Sequence, residues 1–214
     1  MRTPQPFVRS LLAAAALAAL APQAHAVFYT WDIGYLSAQG LPASMLAADT
    51  LNIGAGNYKY VDSTLATAGT VNWLDTLYFQ YGYGINNSGT WNATADASLL
   101  NSYAGGAFNN SGIFRKSGGS GSTAIGSSIT FTNSGTLDAQ VGTIDFYGGA
   151  ATFNAGTQFI GAGINQVSSN ASFVGAFSSQ NLLLAGGIHT GTGRWSARAA
   201  RSTGPWATWP ATGR

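Results

Sequence analysis

Asn86-Asn87-Ser88-Gly89-Thr90-Trp91 returns as Asn109-Asn110-Ser111-Gly112-Ile113-Phe114 and again as Thr132-Asn133-Ser134-Gly135-Thr136-Leu137, with the glycine 23 residues further on each time. Upstream, Asp49-Thr50-Leu51 and Gly69-Thr70-Val71 continue the series at intervals of 20, and downstream Gly156-Thr157 continues it at 21. Six anchors at so regular a spacing are the mark of an internal repeat, and a repeat decides the architecture before any single motif does.

The columns around the anchors have the character of stacked positions. Four residues before them stand Met45, Leu65, Ile85, Phe108 and Phe131; two residues after them stand Leu51, Val71, Trp91, Phe114 and Leu137. Two columns that are always apolar predict two inner rows of a core. Three residues after the anchors the column reads Asn52, Asn72, Asn92, Arg115, Asp138. Its first three members predict an asparagine ladder, each amide bonding the next as in stacked cross-β structures. Arg115 and Asp138, one period apart, predict a cross-coil ion pair on the outer face, where such a pair contributes about 0–1 kcal/mol.

A unit of 20 to 23 residues built from short period-2 stretches is too short for a pair of helices and too uniform for a sandwich. The expected fold is all-β, a parallel β-helix (solenoid). Its hand is expected to be right, as parallel β connections generally are. With neighbouring coils about 4.8 Å apart, roughly seven coils make a rod about 35 Å long. Gly and Asn are expected in its turns, where left-handed backbone is needed. Ser127-Ser128-Ile129-Thr130-Phe131 and Thr143-Ile144-Asp145-Phe146-Tyr147 alternate as half-buried strands, and Asn181-Leu182-Leu183-Leu184 reads as a fully buried one. Beyond Gly156, residues Phe159, Ile164, Val167, Phe173 and Phe177 are expected to line further coils.

The composition agrees. Charged residues make up 7% of the chain, cysteine and glutamate are absent, and Gly, Asn, Ser, Thr and Ala fill the polar and small positions, a palette that disfavours long helices. Without cysteine there are no disulfides, thiolate metal sites or thiol nucleophiles. The N-terminus has Arg2 and Arg9, an apolar stretch from Leu11 to Ala21, and Pro22-Gln23-Ala24-His25-Ala26. This is the pattern of a signal peptide over 1–26, with an apolar run too short to span a bilayer. The expected mature protein starts at Val27, keeps no transmembrane segment, and is exported to the cell surface or the medium, or held in the periplasm. Residues 27–193 carry Lys59, Arg115 and Lys116 against seven Asp, a net charge of −4, so no nucleic-acid partner is expected.

Three passages carry a likeness to known proteins: residues 109–119, residues 131–138 (Phe131-Thr132-Asn133-Ser134-Gly135-Thr136-Leu137-Asp138), and residues 184–191 (Leu184-Ala185-Gly186-Gly187-Ile188-His189-Thr190-Gly191). Trp31, followed by Leu41-Pro42 and Ala48-Asp49-Thr50-Leu51-Asn52-Ile53, is similar to the first coil of such proteins. In these words, spread over residues 31–193, the chain resembles the β-helical repeats of autotransporter passengers and of secreted proteins with a C-terminal exosortase signal of the Pro-Glu-Pro (PEP-CTERM) type. The resemblance implies a secreted adhesive or matrix repeat protein of the filamentous-adhesin kind, a role compatible with biofilm. The departures are the lack of a Pro-Glu-Pro motif, of a terminal apolar helix and of alternating segments for a membrane barrel. Residues 194–214, with Arg194, Arg198, Arg201, Arg214, three Trp, Pro205 and Pro210, abandon the repeat and read as a basic, poorly ordered tail, the truncated or frame-shifted end of a longer passenger. A basic aromatic segment for anionic glycans or membrane surfaces is the other reading of it.

Since parallel β-helices also host polysaccharide lyases and hydrolases, the acids bear on catalysis. Asp138 and Asp145 are the closest acidic pair in sequence, but a glycosidase needs opposed carboxyls, and these are expected on different strands. Arg115, Lys116 and Asp138 form a lyase-like grouping only if they face one way. His189, the sole histidine after residue 26, is expected at the surface or in a turn. Gly118-Gly119-Ser120-Gly121 and Gly161-Ala162-Gly163 open no helix for a phosphate and read as turns. In Tyr78-Phe79-Gln80-Tyr81-Gly82-Tyr83, strand alternation places Phe79, Tyr81 and Tyr83 on one face and Tyr78 on the other, either as core or as a stack of rings for sugars. No catalytic, cofactor-binding or metal-ligating residue is assigned. The expected role is a non-catalytic structural or adhesive rod that binds polysaccharide, other surface components, or itself through its ends. A polysaccharide-active enzyme and a non-functional fragment are the alternatives.

Overall fold

A computed structural model describes residues 25–192 and, beyond them, only the backbone of two short strands, Trp195–Ala197 and Arg201–Ser202. The signal-like segment up to residue 24, and the tail apart from those two backbones, lie outside the described residues.

Every coil visits three parallel sheets in turn. The first sheet has nine strands, from Phe28–Trp31 and Thr50–Ile53 to Trp195–Ala197; the second has nine, from Gly34–Tyr35 to Arg201–Ser202; the third has eight, from Ser44–Met45 to His189–Gly191. All the pairings are parallel and join a strand to its counterpart in the next coil. The fold is therefore the expected parallel β-solenoid, with eight complete turns rather than seven. Two of these turns lie after residue 156, where the chain keeps stacking although the glycine anchor is lost. The only helical element among the described residues is a single 3-10 turn, Leu36–Ala38.

The predicted core columns stack as read from the repeat. Leu65, Ile85, Phe108 and Phe131 pair in succession in the third sheet, and Leu51, Val71, Trp91, Phe114 and Leu137 do so in the first. All are buried. Phe108 meets Trp91 at 5.2 Å and Phe114 at 5.3 Å edge to face and stacks on Phe131 at 5.5 Å, contact geometries that add to plain burial. Farther along, Phe146, Phe153, Phe159, Phe173 and Phe177 continue the chain of rings.

Two register positions differ from the reading of the sequence. Met45 stacks on Thr67 rather than Leu65, and Gln158 stacks on Thr136, so that Thr157 rather than Gly156 occupies the anchor site. Both follow from turn length. In the middle coils two residues, Ser-Gly or Ala-Gly, connect the third sheet to the first, whereas the turns at Leu46–Asp49 and Asn154–Thr157 are two residues longer. The first is closed by Asp49 N–H donating to Leu46 O at 3.0 Å and the Asp49 carboxylate accepting from Leu46 N–H at 2.8 Å; the second is closed by Thr157 N–H on Asn154 O at 3.1 Å. Further corrections are local. Ile164 is exposed because its strand, Ile164–Val167, buries Asn165 and Val167 instead, and Leu182–Leu184 turns Leu183 outward, making it half-buried like the other strands.

The anchor glycines are needed for a reason other than left-handed backbone. None of Gly69, Gly89, Gly112 and Gly135 has a positive φ. Instead they are stacked so closely that a Cβ on Gly112 collides with the carbonyl oxygen of Gly89, and one on Gly135 with that of Gly112. The same carbonyls accept the next coil's amides, Ile113 N–H on Gly89 O and Thr136 N–H on Gly112 O, both at 2.8 Å. Left-handed backbone occurs at other corners, including non-glycine Asn57, Tyr81, Ala104 and Ser128.

The principal asparagine ladder is in a different column from the one predicted. Outside, Asn72 donates to Asn52 at 3.0 Å, but the Asn92 side-chain oxygen has no partner, because the next residue in the column, Arg115, turns to Asp138. Inside, the second Asn of each Asn-Asn-Ser-Gly phrase forms an unbroken buried chain: Asn87 donates to Asn110 at 2.7 Å and Asn110 to Asn133 at 2.6 Å. Thr67 donates into one end at 2.9 Å, and Asn133 donates to Thr157 at 3.0 Å at the other. Each of these amides also donates across its own tight turn, to Gly89 O, Gly112 O or Gly135 O. The tight turn thus faces polar backbone toward the interior and the amide satisfies it, as a buried polar group requires. Where the turn is longer, the same column is apolar, with Met45 at one end and Phe153 and Phe173 at the other.

Phe108→Asp is expected to destabilise the fold by more than about 3 kcal/mol, since an unpaired charge would replace a fully buried ring, while Asn92→Ser on the outer column is expected to cost about 1 kcal/mol or less. Gly112→Ala is expected to cost about 1–3 kcal/mol because the clash is with backbone that cannot step aside. Denaturant melts of the three variants against the parent check the register. For the inner ladder, Asn110→Leu is expected to cost about 2 kcal/mol by orphaning the Asn133 oxygen, and exposed Asn109→Ala well under 1 kcal/mol. Equal losses at the two positions would show that the buried chain of amides contributes nothing special.

Candidate functional site

The three outer faces differ in chemistry. The first sheet presents Thr50, Thr70, Thr90 and Thr136 beside the Asn52–Asp138 column, and the third presents Asn86, Asn109, Thr132 and Thr152, with Asn109 donating to Asn86 at 2.8 Å. The second is aromatic. Of the nine tyrosines in the chain, all but Tyr29 lie on the second sheet or in the turns bordering it.

The face is built by strand register. Tyr35 pairs with Tyr60, Tyr60 with Tyr78 and Tyr78 with Leu100, so one outward position per coil carries a large side chain. The Tyr35 and Tyr60 rings stack at 5.1 Å, and those of Tyr60 and Tyr78 meet at 5.8 Å. Tyr58, from the preceding corner, leans over both at 6.3 Å and 5.7 Å and remains 65% exposed. Two coils farther on the column reaches Gly126, where an added Cβ would meet both Leu100 and the Tyr147 hydroxyl, so those two side chains close over the gap. At the other corner, exposed Tyr81 and Tyr103 form an edge-to-face pair at 5.5 Å.

This corrects the expected placement within residues 78–83. Phe79 is buried, but the strand Leu77–Gln80 ends before Tyr81, whose positive φ breaks the alternation, so Tyr81 and Tyr83 point to solvent. Tyr78, on the opposite side of the strand from Phe79, joins the outer stack. The rings assemble from successive coils, and from the single strand that suggested them only Tyr78 contributes to the stack.

The ionisable groups are distributed just as unevenly. Arg115 Nε bonds Asp138 at 2.8 Å on the first sheet, the expected cross-coil pair, with Gln140 bonding the same carboxylate oxygen. Lys116, the next residue, points the other way: it is wholly buried, with its ammonium on Asp96 Oδ1 at 2.6 Å and on the carbonyls of Gly118 and Ala95. Arg115, Lys116 and Asp138 therefore do not form one cluster. The Lys116 hydrogen bond holds the Asp96 carboxyl below its ordinary range. The glycine run 118–121 wraps this carboxylate, with Gly121 N–H donating to both of its oxygens at 3.1 Å. Lys59 is likewise buried, its ammonium on the carbonyl of Gly56; burial lowers its pKa, and nearby Asp75 and Asp32 oppose that shift.

Asp138 and Asp145, paired in sequence, face different sides of the prism; Asp145 accepts from Ser168 Oγ at 2.8 Å on the second sheet. Among the described residues no three His, Asp or Glu side chains converge. His189 is not at the surface: it continues the inner column of Ala151 and Ala171, is 6% exposed, and contacts the Phe173 ring edge-on. Burial pushes its pKa down.

A neutral imidazole favoured in the folded state means that the unfolded chain takes up a proton first as pH falls. Stability is expected to decline on acidification from about pH 6.5, levelling off once the folded state also protonates. His189→Phe is expected to flatten that decline, which thermal melts across the pH range will show.

A scan against protein-family models, a search of curated proteins and a search of solved structures each find no match to this chain.

Proposed function

We propose that this chain is a secreted, non-catalytic structural or adhesive rod of the cell surface or extracellular matrix, akin to autotransporter passengers and to exported β-helix proteins sorted by a Pro-Glu-Pro signal. The observation that carries this reading is the segregation of chemistry over the prism: two faces rich in Thr and Asn, the first also carrying the Arg115–Asp138 pair, and one face that exposes tyrosines over a buried apolar core. Solvent-exposed aromatic side chains gathered on one face are a feature of contact surfaces, since rings offer apolar area together with a hydroxyl that stays hydrogen-bonded. The export signal read at residues 1–26 supports the location.

Purified protein is expected to be retained on immobilised polysaccharide or on whole cells without releasing new sugar ends. A screen on acidic and neutral polysaccharides, read by retention and by reducing-end assay, is the test. Cleavage that disappears in Asp138→Asn would replace this reading with that of a polysaccharide-active enzyme.

A further inference from the structure

Resting on the adhesive reading, we infer that the tyrosine face of the second sheet is the docking site for a polysaccharide of amino sugars with free ammonium groups. The face runs along the solenoid axis, with one outward tyrosine in each of three successive coils: Tyr35, Tyr60 and Tyr78. Successive rings are thus about 4.8 Å apart along the axis, which suits an extended polymer better than a compact ligand. The exposed ring of Tyr58 offers its face to sugar C–H surfaces, the tyrosine hydroxyls take hydrogen bonds, and a cation over a ring face is attracted by its electron density.

Charge selects among polymers. Asp62 follows Tyr60 by two residues, and Asp75 precedes Tyr78 by three. Each has only neutral hydrogen-bond donors: Ser37 N–H and Oγ–H on Asp62, and Gly56 N–H and Thr76 N–H on Asp75. Lys59 lies near enough to Asp75 and Asp32 for their charges to interact, but one ammonium among Asp32, Asp62 and Asp75 leaves this surface net negative. Of the three described bases only Lys59 is near these carboxylates, and its ammonium is buried on a turn carbonyl; Lys116 is buried elsewhere against Asp96, and Arg115 is on another face, paired with Asp138. An anionic polysaccharide or anionic bilayer would be repelled by this surface, whereas a row of ammonium groups is attracted to it in a salt-sensitive way.

The test is co-sedimentation of the exported protein with a glucosamine polymer, with its fully N-acetylated counterpart and with polygalacturonate, at low and high salt. Retention is expected on the glucosamine polymer only, and it is expected to fall at high salt. Tyr60→Ser with Tyr78→Ser, and separately Asp62→Asn with Asp75→Asn, are each expected to weaken it by about tenfold or more. Asn72→Ser on the first sheet should leave it unchanged. Should the double tyrosine variant melt well below the parent, Tyr58→Ser replaces it, since that side chain is largely in solvent. Equal retention on the N-acetylated polymer, binding to polygalacturonate, or indifference to the tyrosine variants would each overturn the inference while leaving an adhesive rod in place. Self-association of the parent, lost in the tyrosine variants and without retention on the glucosamine polymer, would assign the face to a second copy instead. Failure to bind any polysaccharide or cell would remove the adhesive reading along with it.

Discussion

Each coil of this solenoid hydrogen-bonds to the one below it through parallel backbone ladders on three sides, and that pairing allows successive coils only one spacing. The constraint is tightest at the corner between the third and first sheets, where Gly69, Gly89, Gly112 and Gly135 stack with no room for a Cβ between coils. Carbonyl follows carbonyl there, each receiving the next coil's amide. A side chain at any of these corners would separate two coils locally, and since the ladders on the other two faces share the same rise, the strain would spread into them.

The turn chosen at that corner sets the chemistry of the interior beside it. A two-residue turn leaves glycine carbonyls accessible from inside, and Asn87, Asn110 and Asn133 satisfy them while bonding one another. A longer turn satisfies its own backbone, and the same column becomes Met45, Phe153 or Phe173. The polar seam and the aromatic core are therefore two solutions to one accounting of buried hydrogen bonds, selected coil by coil. The buried lysines solve a related problem at the corner between the first and second sheets. Lys116 and Lys59 set their ammonium groups on turn carbonyls, and Lys116 adds Asp96, so that each lysine drawn inward has oxygen partners for its charge.

With the interior satisfied, the outer positions are free to differ from face to face. In a parallel stack, any outward residue repeated at the coil period becomes a column, so a few substitutions per coil turn a whole face aromatic or amide-rich. Tyr35, Tyr60 and Tyr78 exploit this, at positions where the other faces carry Thr, Ser or Asn. The carboxylates that border them, Asp62 and Asp75, accept hydrogen bonds from neutral donors only, while Lys59 sets its ammonium on a turn carbonyl.

The sequence by itself determined the period, the solenoid, the two apolar columns and the Arg115–Asp138 pair, because a parallel stack places residues one period apart on top of each other, and identity at a fixed spacing is visible without coordinates. It did not disclose where the period slips. The longer turns at Leu46–Asp49 and Asn154–Thr157 move the stacking by two residues at Met45 and by one at the anchor, from Gly156 to Thr157, and turn length shows only when the strands on either side are paired. Nor did it distinguish inside from outside for polar residues: Asn86 and Asn87 are the same letter, one in solvent and one sealed in the core, and His189 and Lys116 lie inward although their types favour the surface. The tyrosine face was beyond its reach for the same reason. Tyr35, Tyr58, Tyr60 and Tyr78 come from three coils, with no shared word around them, and only the stacking of backbone on backbone brings their rings together.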